Sequence, residues 1–311
     1  MPASERADQA GPYEVAVSVT TLWAAPDAPR PLDAALTDAA PRPADWLAAQ
    51  GPTQRQALWG RLESQLLLGE RVIVHEVSGG WARASAPSQP STLGADGYPG
   101  FIPAHHLRPG AAPTGRSVVV HQPATAIRAA PDAPMLLSDV SFATVLPMIE
   151  EAAGWVVVQL PGGGTGWLPG SHVEGMRAPG APPSGEELVA AGRRFLGVGY
   201  LAGGMHGLSY DCSGLVHALY RRFGLTVPRD ARDQLAVGAE VAVHEVGLGD
   251  LMFFTHPERG EVYHVGVCAG TRHDVPLMLH ASQTDWSVVD APVPRWRRDH
   301  LSHVRRLRLG G

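Results

Sequence analysis

The sequence predicts an α+β domain preceded by two small all-β barrels, and two observations carry that prediction. The first is an internal repeat. The motif AAPDAP occurs at 24–29 and again at 129–134. Each copy is followed by a Gly-Trp strand (SGGWARA, 78–84; AAGWVVV, 152–158) and by a Gly-aromatic strand that ends in Pro (GFIPAHHL, 100–107; GWLPGSHV, 166–173). Short apolar runs punctuated by Gly and Pro read as strands of small antiparallel barrels. The second is a change of pattern after RAPGAPPSGEE, residues 177–187, the clearest linker. Helical spacing comes first beyond it and strand runs follow, which is the order of an α+β domain.

In chain order, the first barrel spans residues 12–110 and carries two insertions. Residues 41–65 have helical spacing and interrupt the barrel pattern, and residues 86–99 separate its last two strands. Such insertions serve either a site or interface, or plain surface decoration. The second barrel spans 116–176. In the domain at 184–311, Ser184 caps a helix over 186–196 whose first turn is acidic. After a Gly-rich loop, a second helix runs from Cys212 to Phe223, with Leu215, Val216, Leu219 and Phe223 on its buried face and Gly224 as its stop. The runs GDLMFF, YHVGVCAG, LMLHAS and HVRRLRL are then expected as strands of an antiparallel sheet.

Composition narrows the function classes. With 28 Pro and 36 Gly in 311 residues, several small modules fit better than one large helical body. The formal net charge of -5 is spread along the chain, so no nucleic-acid footprint is present. No run approaches the roughly 18 apolar residues of a membrane span. The N-terminus MPASERADQAGPYEV lacks the apolar stretch of a signal peptide, and two cysteines make no disulfide framework, so a cytoplasmic address is expected. The chain contains neither lysine nor asparagine. No mechanism here uses a lysine base or an asparagine orienter.

Cys212 stands between Asp211 and Ser213 in the first turn of the second helix. Unpaired amides and the helix dipole there favour an anion, so the thiol pKa is expected to fall and the same amides to hold an oxyanion. The alternative is a buried structural cysteine, which the polar neighbours disfavour. A cysteine nucleophile needs a base, and the base needs an orienter. His264 in YHVGVCAG and His280 in LMLHASQ lie in strand-like contexts that bring both imidazoles to one face. Cys268, four residues beyond His264 and so roughly 13 Å along a strand, is read as packing rather than as a disulfide partner. A zinc site is the rival for Cys, His and His, but no HxH, CxxC or HExxH anchors it, so neither metal nor cofactor is expected.

The residues at 197–234, with GDLMFF, HVGVCAG and LHAS, resemble the NlpC-type cell-wall peptidases, a papain-like cysteine peptidase family; the order DCSG, PRD, HVG, HAS carries the likeness. The resemblance implies Cys212 as nucleophile, His264 as general base and His280 as orienting residue. The two barrels resemble bacterial SH3-like domains. Together they are similar to the γ-D-glutamyl-L-diamino-acid endopeptidases that trim muropeptides with a free N-terminal L-Ala. By that resemblance Tyr98 and either Glu63 or Glu70 hold the substrate ammonium, Asp211 and Ser213 contact the same end, and Tyr200 and Asp230 line the cleft. A monomer acting on a peptidoglycan-derived peptide, without nucleic acid or membrane, is expected. Two departures bear on subsites: Ala202 in YLAGG stands where tryptophan is frequent, and Ala231 in PRDAR where serine is common. The rivals are a secreted NlpC-type amidase or cross-link hydrolase, and a non-catalytic wall-binding protein.

Overall fold

A computed structural model describes residues 7–110, 115–177 and 182–307. The first six residues of the N-terminal stretch, residues 178–181 of the expected linker and residues 308–311, where the expected HVRRLRL strand ends, lie outside them. The chain divides into two units: Met1–Met176 with Ala202–Leu208, and Arg177–Leu201 with Ser209–Gly311.

The first unit contains two sheets of like plan. Strands β1 (Gly11–Val15), β2 (Val19–Trp23), β3 (Leu62–Leu67), β4 (Arg71–Ser78), β5 (Trp81–Ala86), β6 (Tyr98–Pro103) and β7 (Leu107–Pro109) pair in the order β3-β2-β6-β5-β4-β1-β7. Strands β8 (Ser117–Val120), β9 (Ala124–Arg128), β10 (Met135–Ser141), β11 (Val145–Ala152), β12 (Trp155–Gln159), β13 (Thr165–Pro169) and β14 (Val173–Gly175) pair as β10-β9-β13-β12-β11-β8-β14, the same order one repeat later. The repeat extends to side chains. Thr20 Oγ1 lies 2.7 Å from His106 Nδ1, and Thr125 Oγ1 lies 2.7 Å from His172 Nδ1, each histidine next to last in its Gly-aromatic motif. Val15, Leu22, Leu66, Val74 and Ile102 fill the first core, and Val120, Ile127, Val140, Leu146 and Leu168 the second.

Between β2 and β3 come the short helices α1 (Ala34–Thr37), α2 (Pro43–Ala48) and α3 (Pro52–Gln56). The helical expectation over 41–65 is too long: Leu62 to Gln65 already form strand, paired with β2. The buried Asp33 carboxylate organises this stretch by accepting from the Arg30 guanidinium and from Trp46 Nε1 at 2.9 Å. A buried charge is tolerable when so satisfied. Gln89 ties the 86–99 insertion to β3, accepting from Ser64 Oγ at 2.6 Å and donating to the Gln65 carbonyl at 2.7 Å. In the segment Ala202–Leu208, the Met205 amide donates to Gln65 Oε1 at 3.0 Å. At Gly207 a Cβ would stand 1.8 Å from the Pro123 carbonyl oxygen, so only glycine fits.

In the second unit α4 (Gly185–Arg193) starts at a reciprocal cap: Ser184 Oγ accepts from the Glu187 amide and Glu187 accepts from the Ser184 amide. It stops short of the expected Leu196 because Phe195 and Leu196 tighten into three-residue turns on Gly192 and Arg193. The remaining elements are β15 (Gly199–Tyr200), β16 (Met205–His206, in the segment described above), β17 (Ser209–Tyr210), α5 (Cys212–Arg222), α6 (Ala231–Gln234), β18 (Ala239–Val241), β19 (Leu251–Thr255), β20 (Val262–Arg272), β21 (Val275–Ser282), β22 (Ser287–Pro292), α7 (Arg295–Arg298) and β23 (Leu301–Arg306). Within this unit the sheet runs β17-β15-β22-β21-β20-β19-β23-β18. Val267 faces Leu279 across β20 and β21. By alternation, His264, Gly266, Cys268, Met278 and His280 then share one face. Leu279, on the other face, packs at Gly192 of α4, where Leu219 of α5 also comes close.

Candidate active site

The Cys212 sulfur belongs to the first residue of α5, and Asp211 is the N-cap, accepting from the Gly214 amide at 2.7 Å. The backbone amides of Val265 and Ser213 reach the sulfur. The half-buried thiol therefore sits beside the backbone of the residue that follows His264. The expected fall in its pKa does not occur: burial, then the Asp211 charge, push it up to about 11 against the pull of those amides and Arg229. Magnitudes explain the reversal. A helix terminus contributes about 0.3–1 kcal/mol, which is less than one pKa unit. Desolvation of a thiolate exceeds that. At neutral pH the resting group is the thiol.

His264 and His280 are buried, and His264 Nε2 lies 2.8 Å from His280 Nδ1 with the rings edge to face. The two positions are diagonal neighbours across β20 and β21, within reach of long side chains. Burial, then the neighbouring His280 and Arg297, hold His264 well below its ordinary value. Burial and Arg297 lower His280 to about 3. Both rings are neutral at physiological pH. With Nε2 engaged, Nδ1 is the nitrogen of His264 left for a proton.

The second unit also gathers Asp211, Ser213 and Tyr200 near the sulfur. Asp211 accepts from Arg229 Nη2 at 2.7 Å and Nη1 at 3.1 Å, while Arg229 Nη1 donates to Ser213 Oγ at 3.0 Å. Arg229 is 1% exposed. The two residues flanking the nucleophile are thus clamped from behind by one guanidinium. Gln234 Nε2 adds a bond to the Ser213 carbonyl at 3.0 Å. Tyr200 is buried, stacks edge-on against Trp286, and has its phenol pKa raised by burial, then by Cys212 and Asp211. It lines a pocket with Tyr263, His264, Gln283, Trp296 and Arg297. Asp230 is the half-buried N-cap of α6 and makes no side-chain cap. Arg229 carries no distinguishing mark beyond its place in the PRD motif, and Arg297 in RWRR carries none. Cys268 is fully buried in a core cluster with Met252, Phe254, Met278 and Val293. No cluster of metal-ligating side chains occurs among the described residues.

Tyr98, Glu63 and Glu70 belong to the first unit. Tyr98 begins β6 and is packed into the first core. Glu70 is 2% exposed, and its carboxylate accepts from the Leu67 amide at 2.9 Å and from Ser88 Oγ. Glu63, in β3, is only half-buried. Ala202 falls in the segment grouped with this unit.

Residues 197–306 match the NlpC/P60 family, and residues 120–174 match the YkfC SH3b2 domain. A γ-D-glutamyl-L-lysine dipeptidyl-peptidase of Bacillus cereus is 32% identical over 89% of this chain and 85% of its own length. The chain belongs to the NlpC/P60 family. It is a cysteine peptidase by that membership, with an NlpC/P60 papain-like domain and an SH3b domain. The Bacillus subtilis γ-D-glutamyl-L-lysine dipeptidyl-peptidase is 31% identical over 89% of this NlpC/P60 chain and 92% of the relative. A crystal structure of an NlpC/P60 family protein from Bacillus cereus superposes with a TM-score of 0.87 at 30% identity, covering 95% of this chain and 99% of that one.

Proposed function

We propose that this NlpC/P60 peptidase hydrolyses the amide between γ-D-Glu and an L-diamino acid in peptidoglycan-derived peptides with a free N-terminal L-Ala. Cys212 is the nucleophile, His264 the base and His280 its orienter. The observation that carries the chemistry is the 2.8 Å contact of His264 Nε2 with His280 Nδ1, on the strand whose Val265 amide reaches the Cys212 sulfur. The substrate class is supported by likeness to two γ-D-glutamyl-L-lysine dipeptidyl-peptidases along most of both chains.

Because thiol and imidazole are both neutral at rest, the Cys212 proton moves to His264 Nδ1 as sulfur attacks the γ-carbonyl. The cap occupies the Gly214 amide and the Ser213 amide reaches the sulfur, which leaves that of Cys212 to hold the oxyanion. His264 returns the proton to the leaving amine, and water then hydrolyses the thioester. We read residues 12–110 and 116–176 as two SH3-like barrels, the first with a helical insertion, and 184–311 as the peptidase domain. The common strand order and the matching Thr–His bonds support that division. Of the two acids offered for the substrate ammonium, Glu63 fits better, since the Glu70 carboxylate is already engaged.

The test is mass spectrometry of products from L-Ala-γ-D-Glu-L-Lys. Wild type releases L-Ala-γ-D-Glu; Cys212→Ala lowers turnover by about 10³-fold or more. N-acetylating the peptide stops cleavage, because a site built for an ammonium rejects its acylated analogue. Turnover retained by Cys212→Ala removes the assignment, and equal rates on blocked and free peptides indicate an enzyme of intact wall.

A further inference from the structure

Arg297 has no place in the mechanism above, and its surroundings are unusual for a guanidinium. It lies in α7, is 5% exposed, and its Nε has no partner among the described residues. Asp285 attracts its charge, yet among the described residues no ion pair to a carboxylate holds it; the Asp285 carboxylate accepts from Ser282 Oγ at 2.6 Å. The guanidinium carbon stands 4.8 Å from the Trp296 ring centroid and 5.9 Å from that of Phe254. Nη1 is 3.5 Å from His280 Nδ1, the nitrogen that also faces His264 Nε2 at 2.8 Å. Burying a cation without a paired carboxylate is costly, so its position beside the two histidines calls for a reason.

Donor logic supplies one. A guanidinium only donates. A neutral His280 whose Nδ1 faces an Arg N–H must present a lone pair there and carry its proton on Nε2. The nitrogen of His264 that faces the same Nδ1 must then be the donor. One group incapable of accepting thus sets two rings at once. We propose that Arg297 is a positioning residue of this peptidase: by donating to His280 Nδ1 it forces the proton of His264 onto Nε2 and leaves Nδ1 as the free base. The proposal rests on the reading of Cys212 and His264 given above. Arg297 keeps its own protons throughout. The moving proton goes from Cys212 Sγ to His264 Nδ1 as the carbon–sulfur bond forms, then to the leaving nitrogen as the carbon–nitrogen bond breaks.

The charge of Arg297 has a second effect. It opposes protonation of both imidazoles and favours a thiolate, so it biases the proton toward the departing amine. The other titratable groups around the pair and Arg297 are Cys212 on α5, Tyr200 on β15, Tyr263 on β20 and Asp285 after β21; His300 beyond α7 reaches Tyr263, its Nδ1 3.0 Å from the hydroxyl. Of these only Asp285 brings a negative charge at neutral pH, and it acts against Arg297 on His280.

Long-range ¹H–¹⁵N NMR of histidine-labelled wild type reads the tautomer without any turnover. The expected spectrum has His264 protonated at Nε2 and His280 at Nε2, and His264 protonated at Nδ1 overturns the proposal even if the enzyme is active. In Arg297→Met we expect mixed tautomers, kcat lower by about 10²-fold, KM within about threefold, and the acidic limb of kcat/KM moved up by about one pH unit. Arg297→Lys, which keeps a donor and the charge, restores the wild-type limb and most of kcat. A folded Arg297→Met with unchanged kcat and acidic limb refutes the role. So does a loss of kcat with His264 still on Nε2, since that is packing alone. A wild type inactive on the peptide but showing the expected tautomers removes the substrate reading and leaves this one standing.

Discussion

Glu63 and Glu70 show how one residue type meets two different surroundings. The Glu70 carboxylate is consumed by the Leu67 amide and the Ser88 hydroxyl inside the first sheet, whereas Glu63 remains half-buried on β3. Glu63→Gln is therefore expected to lower kcat/KM for the free-amine tripeptide by about 10–10²-fold, the loss of a charge-assisted bond of about 1.5–3 kcal/mol, with an unchanged Tm. Glu70→Gln is expected to lower Tm through about 1–3 kcal/mol of lost buried bonding while kinetics hold. The opposite pattern in steady-state assays and thermal melts reverses the assignment. In the sequence the pair was indistinguishable, because the difference lies in partners supplied by Ser88 and a turn amide. The His264–His280 contact was legible, since both rings sit in apolar strand runs. Arg229 and Arg297 were not: with no lysine in the chain every cation is Arg or His, and burial is conferred only by tertiary packing.

At the scale of elements, β20 and β21 hold the imidazoles in register, and Gly266 lies close against Met278 and His280 between them. A Cβ there would meet Met278 Cγ at 2.5 Å and His280 Cβ at 3.1 Å. Met278 is flexible at its end and can yield; His280 is fixed by Arg297 and His264 and yields only by moving its ring. Gly266→Ala is thus expected to lower kcat by about tenfold, an outer-shell effect, besides an overpacking cost of about 1–3 kcal/mol. Full kcat in a folded Gly266→Ala enzyme would count against the register argument. The long elements were readable from periodicity: α5 ends one residue before the expected Phe223, and β19, β20 and β21 fall on the quoted runs. The four-residue helices α6 and α7 were missed because they are too short for any period to show. The tail of the 41–65 stretch went wrong for another reason. Its leucines continue at helix spacing, but pairing with β2 overrides local preference.

Over the whole molecule, the distribution of neutral buried histidines sets the response to acid. His106 in the first unit and His217 and His280 in the second are each lowered to about 3, burial being the largest cause every time. His106 donates from Nε2 to the Asp38 carbonyl and accepts from Thr20 at Nδ1, a pattern only the neutral ring can make. In the unfolded chain these rings titrate near 6.5. Between pH 6.5 and 3 the unfolded state therefore binds more protons than the native one, and stability must fall as pH falls through that window. Each histidine contributes at most about 1.4 kcal/mol per pH unit. Above pH 7 the same groups are neutral in both states and contribute no slope. Glu14, whose pKa is raised chiefly by burial, acts in the opposite direction lower in the window. Asp33, lowered by its Arg30 and Trp46 bonds despite burial, loses its contribution only as pH falls through the carboxylate range. The interval from pH 6.5 to 5 thus isolates the histidines from most carboxylates. Melting followed by circular dichroism is expected to give a flat Tm from pH 8 to 7 and a steady decline from 6.5 to 5. Replacing His106 by Gln, which keeps a donor and an acceptor but cannot titrate, should reduce that decline. A Tm level down to pH 5 would mean that these rings are protonated in the native state and would overturn this account.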